Sequence, residues 1–407
     1  MLLTLLAMAA VHPVTISGGE GHWQLMRDGK PYFVKGAGGI NQLSELVAAG
    51  GNSVRTWGAE TIQKDLDTAE AHGLTVAAGI WIQHKEGLDY NDPAKVAAQT
   101  AEVARVVQAN RNHPALLVWG IGNEMENGND TVELWKAVGA AAHAAKSADP
   151  NHPIMTVVAE ISEQKIAHIK QFAPDVDVLG VNSYGGLQSL PDRLKKAGWS
   201  RPYLVTEFGP LGFWELGKTS WGAPQEQTST EKAAFYQANY EHSIVGQPGW
   251  CLGGYAFLWG HKQEATPTWF GMFLPSGEAT AAVDVMQHEW SGSWPAHRAP
   301  VIEPIKVSGP VDNIAPGALI SASVKVAGDP DNVTYRWSVL PEVLDRRADG
   351  NGEITPSILK VVTEPRTGGY ISIQAPKEPG AYRLYVVVTT PEKRAACANI
   401  PFRVGRG

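Results

Sequence analysis

Two glutamates that each follow a short apolar segment could form a catalytic pair. Glu124 ends the run Trp119-Gly120-Ile121-Gly122-Asn123-Glu124, and Glu207 lies within Val205-Thr206-Glu207-Phe208-Gly209. A protonated carboxyl beside an ionised one can cleave a glycosidic bond, because the first donates a proton to the leaving oxygen and the second attacks the anomeric carbon. The double-displacement route needs the two carboxyl groups about 5–5.5 Å apart. The surrounding elements must therefore bring two residues together that are distant in the chain.

The pattern from about residue 19 to 295 predicts those elements, because short β-rich segments alternate with longer helical ones. A hairpin comes first, formed by 22–26 and 32–34 with a turn at Asp28-Gly29, and its second arm continues into a strand that ends at Lys35-Gly36. Seven more strands are predicted at 53–57, 74–82, 116–121, 154–158, 176–181, 203–206 and 252–258. Helices are predicted between them, for example at 61–72, 93–110, 131–147 and 230–243. Eight strands with helices between them predict a closed (β/α)8 barrel rather than an open sheet.

The barrel explains how the two glutamates can meet. Active sites of such barrels lie at the carboxyl ends of the strands. Glu124 follows the fourth predicted strand and Glu207 ends the seventh, so both carboxyl groups are expected at the barrel mouth, on opposite sides of it.

At this point the chain resembles the clan A glycoside hydrolases, whose two glutamates lie on strands 4 and 7, and families 2 and 5 in particular. The likeness covers roughly residues 20 to 290, and the opening segment 27–36 is also similar to fungal β-1,3-glucanosyltransferases. The resemblance implies that Glu124 is the acid/base and Glu207 the nucleophile. It also implies that Asn123 contacts the sugar 2-hydroxyl and that Arg55 bonds to the nucleophile carboxylate. In the same resemblance, Tyr184 lies near the nucleophile and Trp259 forms a floor under the sugar.

Further substrate contacts are predicted from aromatic and polar residues near the strand ends. Fourteen tryptophans are many for this length, and tryptophan rings stack on the apolar faces of sugars. The remaining candidates are Trp57, Trp81, His84, Trp214 and Trp269. The aromatic loops after strands 7 and 8 also fit a hydrophobic lid that closes the barrel, and a loop histidine such as His84 is often simply solvated.

Composition and motifs limit the classes of binding partner and cofactor that are expected. The formal net charge of −7 argues against a general nucleic-acid binder, which needs a basic face, and does not exclude small or neutral partners. The carboxylate pair and the resemblance predict a β-linked oligo- or polysaccharide as the partner. No metal triad, nucleophile elbow, phosphate loop or dinucleotide fingerprint is apparent, and the chemistry needs no cofactor. Residues 1–18 are interpreted as a possible leader with Ala7-Met8-Ala9 near its end, which predicts a secreted, periplasmic or cell-surface protein. No segment reaches membrane-spanning length, and the oligomeric state is left open.

Near residue 296 the alternation of strands and helices gives way to β-type alternation without a long helix, which predicts a second domain. The catalytic barrel is assigned to 19–295, a proline-spaced linker to 296–305, and an immunoglobulin-like β-sandwich to 306–407. Its predicted strands are 319–326, 333–339, 369–374, 382–389 and 399–404. The two cysteines, Cys251 and Cys397, fall in different domains and are not expected to form a disulfide.

Three functional hypotheses follow. The first is a retaining β-glycoside hydrolase that acts by double displacement. The second is a transglycosylase that uses the same glycosyl-enzyme, with a sugar hydroxyl in place of water. The third is a carbohydrate-binding protein without catalysis, although a pure binder has no need of a like-charged pair.

Overall fold

A computed structural model describes residues 12–327, 332–343, 353–365 and 369–405 of the chain. The first eleven residues of the predicted leader, including Ala7-Met8-Ala9, lie outside these ranges. Its remaining part carries the strand β1 (Val14–Ser17), which pairs with β2 (Gln24–Arg27). Within the described ranges, no helix is long and apolar enough to cross a membrane.

Eight parallel strands form a closed barrel, which confirms the predicted (β/α)8 fold. In barrel order the strands are β4 (Val34–Gly38), β5 (Ser53–Arg55), β6 (Thr75–Ile80), β7 (Leu116–Ile121), β8 (Ile154–Ala159), β9 (Val178–Asn182), β10 (Tyr203–Phe208) and β11 (Cys251–Ala256). The helices are α1 (Leu43–Ala48), α2 (Ile62–Glu70), α3 (Pro93–Asn110), α4 (Val132–Ala148), α5 (Glu163–Phe172), α6 (Leu190–Lys196), α7 (Ser229–Tyr240) and α8 (Ala281–Ser291). A 3₁₀ turn at Leu187–Ser189 precedes α6, and a π-helical turn at Glu241–Val245 follows α7.

Side-chain caps explain where several barrel helices begin. The Asp92 carboxylate accepts hydrogen bonds from two backbone amides at the start of α3, where Pro93 has no amide hydrogen to satisfy. The hydroxyls of Thr131 and Ser162 cap α4 and α5 in the same way. Capping satisfies donors that a helix leaves unpaired in its first turn, so these residues fix the register of the loops that precede the helices.

The amino-terminal hairpin contributes to the barrel interior. The strand β3 (Lys30–Pro31) pairs with β2, and both residues of the turn between them, Asp28 and Gly29, have positive φ, as a tight hairpin requires. Val14 and Leu25 join a buried cluster with Val34, Leu117, Met155 and other strand residues that point into the barrel. The predicted entry hairpin is therefore present, and it extends the barrel core.

The chain divides into two compact units. The first contains Met1–Phe208 and Asn239–Ala256, which include all eight barrel strands, and the second contains Gly209–Ala238 and Phe257–Gly407. The segments that follow strands β10 and β11 thus group with the carboxyl-terminal strands.

The strands nearer the carboxyl terminus include those predicted from the sequence. They are β12 (Ala279–Thr280), β13 (Val301–Ile302), β14 (Lys306–Ser308), β15 (Leu319–Ser323), β16 (Val326–Ala327), β17 (Thr334–Pro341), β18 (Lys360–Pro365), β19 (Tyr370–Gln374), β20 (Gly380–Thr389) and β21 (Arg394–Val404). A five-stranded sheet in the order β12-β21-β20-β17-β18 and a three-stranded sheet in the order β14-β15-β19 supply a shared core that includes Trp337, Ile371, Val386 and Phe402. The fully buried Arg383 and Glu342 form a bidentate ion pair in this unit, with both contacts at 2.8 Å.

Candidate active site

Glu207 lies near the carboxyl end of β10 and is surrounded by hydrogen-bond donors from other strand ends. Its Oε1 accepts from Arg55 Nη1 and from Trp57 Nε1, both at 2.8 Å, and its Oε2 accepts from the Tyr184 hydroxyl at 2.8 Å. The Glu207 side chain is almost completely buried. Three donors, one of them a cation, stabilise a carboxylate rather than a carboxylic acid, because an ionised carboxylate only accepts hydrogen bonds.

Arg55 connects both halves of the site. Besides Glu207, its guanidinium donates to the Thr206 carbonyl at 2.9 Å and to Asn123 Oδ1 at 2.6 Å. It is 2% exposed, and it also lies over the Trp57 ring, 5.2 Å from the ring centroid. A buried cation needs several partners to offset the loss of hydration, and the planar fork of arginine reaches all of these at once.

Asn182, the last residue of β9, is a site residue that the sequence analysis did not single out. Its amide nitrogen donates to Glu124 Oε1 at 2.7 Å and to Asn123 Oδ1 at 3.1 Å, and its amide oxygen accepts from the Thr206 hydroxyl at 2.8 Å. It is 2% exposed. A polar residue at the end of the otherwise apolar strand β9 was the available signal.

Asn123 receives two of these bonds on the same atom. Its Oδ1 accepts from Arg55 and from Asn182, so the orientation of the amide is fixed and its NH₂ group points away from both. Asn123 is partly exposed. The side chain can therefore offer amide hydrogens to a hydroxyl of a bound molecule.

Glu124 follows β7 in a left-handed backbone conformation. Its φ is 53°, and Gly122 just before it has a φ of 75°, where an added Cβ would come within 2.0 Å of the Met125 sulfur. The Glu124 amide donates to the Val157 carbonyl of β8 at 3.0 Å, so the turn is attached to the neighbouring strand. Positive φ is costly for residues other than glycine and is often found at functional sites.

The environment of the Glu124 carboxyl favours its protonated form. Burial first, and then the negative charge of Glu207, raise its pKa from 4.5 to about 7, while the hydrogen bond from Asn182 and the charge of Arg55 oppose the shift. Around neutral pH this carboxyl can therefore give or take a proton, and the heavily bonded Glu207 carboxylate has the complementary role.

Trp81 and His84 follow β6 and contact each other. Their rings stack with centroids 5.2 Å apart, and His84 Nε2 donates to the backbone carbonyl of Asn123 at 3.1 Å. His84 thus supports the turn that carries Asn123 and Glu124, and it is not only a solvated loop residue. Substrate contacts by Trp57, Trp81 and His84 stay predictions.

The other three predicted aromatic contacts belong to the second compact unit. Trp214 is 52% exposed. Trp259 and Trp269 are at most 1% exposed: Trp259 packs against Phe273 and Trp290, and the Trp269 ring nitrogen donates to the Leu211 carbonyl at 2.9 Å. Of the three, Trp214 has the largest exposed surface, and substrate contacts by Trp214, Trp259 and Trp269 stay predictions.

One side-chain group in the described part of the chain has the spacing of cation ligands. His113 Nε2 lies 3.0 Å from Asp67 and 3.6 Å from Glu70. The Ala115 amide donates to His113 Nδ1 at 3.1 Å, so Nε2 carries a hydrogen and has no lone pair for a metal. We interpret the group as a histidine that donates a hydrogen bond from Nε2 to the Asp67 carboxylate.

The barrel is similar to known proteins. The family model for the glycosyl hydrolase family 2 TIM barrel domain matches residues 65–245. A β-galactosidase from Klebsiella pneumoniae is 28% identical over 179 residues, which cover 40% of this chain and 16% of that protein. The matched segment is therefore a small part of that relative.

Solved structures share the fold. A family 2 β-galacturonidase from Eisenbergiella tayi superposes with a TM-score of 0.54 and 16% identity, covering 69% of this chain and 54% of that one. A β-glucuronidase from Dictyoglomus thermophilum superposes with a TM-score of 0.54 and 17% identity, covering 69% of this chain and 53% of that one. A β-glucuronidase from Bacteroides uniformis superposes with a TM-score of 0.51 and 12% identity, covering 96% of this chain and 48% of that one. The solved structures share the barrel fold, and the family model together with the barrel geometry supports a family 2-like glycoside hydrolase barrel of clan A.

Proposed function

We propose that the protein is a retaining β-glycoside hydrolase that acts on a β-linked oligo- or polysaccharide, with Glu124 as acid/base and Glu207 as nucleophile. The observation that carries the proposal is the difference between the two carboxyl groups. Glu207 accepts three hydrogen bonds from Arg55, Trp57 and Tyr184, whereas burial raises the pKa of Glu124 to about 7. One carboxyl is thus prepared to attack, and the other to donate a proton.

In the first step, Glu207 attacks the anomeric carbon while Glu124 protonates the departing oxygen. Oε1 of Glu207 is occupied by two donors and Oε2 by one. Oε2 therefore keeps the freer lone pair and is the attacking oxygen. The bond from the anomeric carbon to the leaving oxygen breaks as the bond to Oε2 forms, and the proton of Glu124 leaves with the alcohol.

In the second step, Glu124 changes its role. Once Glu207 is an ester it is neutral, so the charge that is the second cause of the raised pKa of Glu124 disappears. The pKa of Glu124 then falls, and the ionised carboxyl accepts a proton from the attacking water. Water adds to the anomeric carbon, Glu207 leaves as a carboxylate, and the configuration is retained.

The β configuration is supported by the relatives, which are described as β-galactosidase, β-galacturonidase and β-glucuronidase. The oriented NH₂ group of Asn123 supplies a donor for a hydroxyl of the sugar beside the bond to be cleaved.

The test begins with a panel of aryl β-glycosides and β-linked polysaccharides, with the product anomer followed by proton NMR. We expect the β-anomer first, and we expect Glu207→Gln to lower kcat by at least about 10⁴-fold. A 2-deoxy-2-fluoro glycoside with a good leaving group should add one glycosyl unit to the wild type, at Glu207. Glu163→Gln, in an exposed ion pair with Lys196, is the matched control and should keep full activity.

An initial α-anomer, or an active Glu207→Gln, would refute the mechanism. Longer oligosaccharides without net release of reducing ends would instead identify the transglycosylase. Binding of an oligosaccharide with no turnover of any substrate would favour the non-catalytic alternative.

A further inference from the structure

The turn that carries Glu124 is tied to the neighbouring strand by a second glutamate. Glu126, two residues further on, is completely buried at its side chain, and its Oε1 accepts from the Ala159 amide at 2.8 Å and from Lys165 Nζ at 2.9 Å. Lys165 lies on α5 and also donates to the Ala159 carbonyl at 2.6 Å. A carboxylate and an ammonium thus connect the segment after β7 with the end of β8.

The same lysine contacts a second strained position. Glu160, next to Ala159, has a φ of 53°, the same value as Glu124, and its carbonyl accepts from Lys165 Nζ at 3.3 Å. Each left-handed glutamate needs contacts that hold it there, since this conformation is unfavourable for a residue with a side chain. Lys165 reaches one of them directly and the other through Glu126.

The mechanism above does not use Glu126, although a buried carboxylate is expensive. Its Oε2 is buried and has no hydrogen-bond partner in the described part of the chain, and no substrate can reach a side chain that is fully covered. A neutral or apolar side chain would fill the position at lower cost if its role were packing alone. Burial raises the pKa of Glu126, and the charge and hydrogen bond of Lys165 oppose that shift and favour the carboxylate.

We propose that Glu126, held by Lys165, is a positioning residue that fixes the turn on which the Glu124 carboxyl lies. The proposal rests on the proposed function for the role of Glu124. The charged groups that act on the Glu124 carboxyl are Glu207 on β10, Arg55 on β5 and Glu126 on its own turn. Lys165 on α5 faces Glu126.

Two substitutions separate the charge from the geometry. Glu126→Gln can keep the bonds from Ala159 and Lys165 to a side-chain oxygen but has no charge. We expect the basic limb of the pH profile of kcat/KM to move to lower pH by roughly 0.3–1 unit, because Glu124 then ionises more easily. Glu126→Ala removes the bonds as well, and we expect kcat to fall about 10–100-fold with a smaller change in KM. Glu163→Gln, on the same helix as Lys165 but exposed, is the control and should change neither quantity.

A readout independent of turnover keeps this proposal separate from the proposed function. The Glu124 carboxyl can be titrated by ¹³C NMR in protein labelled at the glutamate carboxyl carbon, with its signal assigned by its loss in Glu124→Gln. A lower Glu124 midpoint in Glu126→Gln supports the inference even if Glu207→Gln stays active, an outcome that would refute only the proposed function. An unchanged midpoint with wild-type kcat in Glu126→Ala would overturn the inference. A change in Tm alone, with no shift of the midpoint or of the basic limb, would also overturn it, because it would mark Glu126 as a packing residue.

Discussion

Glu124→Gln gives the most direct test of the acid/base role, because its effect depends on pH and on the leaving group. With a pKa of about 7, the fraction of Glu124 that carries a proton is about one half at pH 7, about a tenth at pH 8 and about a hundredth at pH 9. For a substrate whose leaving group must be protonated, the kcat/KM of the wild type should therefore fall about tenfold per pH unit above 7.

The glutamine variant should lose that limb together with the catalytic contribution of the acid. General acid catalysis typically contributes about 10²–10⁴-fold, so a phenyl β-glycoside should be cleaved more slowly by that factor near pH 6. A dinitrophenyl β-glycoside needs no protonation and should form the glycosyl-enzyme nearly as fast as before. Hydrolysis of that intermediate should then limit turnover, because the base is missing as well.

The assay follows both substrates from pH 5 to 9, with and without sodium azide, for the wild type and Glu124→Gln. Azide needs no general base, so it should accelerate turnover of the dinitrophenyl glycoside by the variant and give a β-glycosyl azide. Equal losses for the two leaving groups would refute the assignment. A basic limb that persists near pH 7 in Glu124→Gln would show that another group provides the proton.

Three further predictions concern stability and the supporting residues. Because the pKa of Glu124 is raised from 4.5 to about 7, the folded protein binds this proton more tightly than the unfolded chain. Its contribution to stability is therefore lost as the pH rises from about 4.5 to 7. Glu124→Gln should gain roughly 1–3 kcal/mol relative to the wild type between pH 4.5 and 8 in urea unfolding, and a constant difference across that range would contradict this. Arg55→Lys keeps the charge but cannot reach Glu207, Thr206 and Asn123 at once, so kcat/KM should fall about 10²–10³-fold; near wild-type kinetics would mean that charge alone suffices. Glu342→Gln removes the charge opposite the buried Arg383 and should cost about 3–5 kcal/mol, whereas the matched change Glu102→Gln in an exposed pair should cost under about 1 kcal/mol.

The sequence was sufficient for the barrel because its signals are local and periodic. The apolar runs at 116–121 and 203–206 coincide with β7 and with most of β10, and the predicted helix 93–110 agrees with α3, whose start is marked by Asp92-Pro93. The strand β18 was missed, because its sequence Lys-Val-Val-Thr-Glu-Pro is short and alternates weakly. Its membership in the sheet depends on pairing with β17, a contact between segments that are not adjacent in sequence.

The site was predictable to the extent that its residues end strands. Glu207 and Arg55 are strand residues whose direction follows from the barrel, and both contact each other as expected. The hydrogen bond from the Trp57 ring nitrogen to Glu207 was not predicted. Asn182 was not recognised as part of the site, because its importance lies in contacts to residues within or after other strands. Such contacts depend on three-dimensional distance, which no spacing in the chain encodes.

The proposed mechanism gives the two carboxyl groups different roles because their surroundings differ in kind, and exchanging the proposed roles would not work with these neighbours. Glu207 as the acid would need a proton on an oxygen that already accepts from Arg55, Trp57 or Tyr184, and would have to give up a charge-assisted bond. Glu124 as the nucleophile would have to stay ionised beside Glu207 and Glu126, with neutral amides as its hydrogen-bond partners, from Asn182 and Asn127. The arrangement thus has one stable assignment of the proton, and it is the assignment that double displacement requires. The cation Arg55 bonds directly to Glu207 and to Asn123 but not to Glu124, so it stabilises the nucleophile while leaving the acid largely unneutralised.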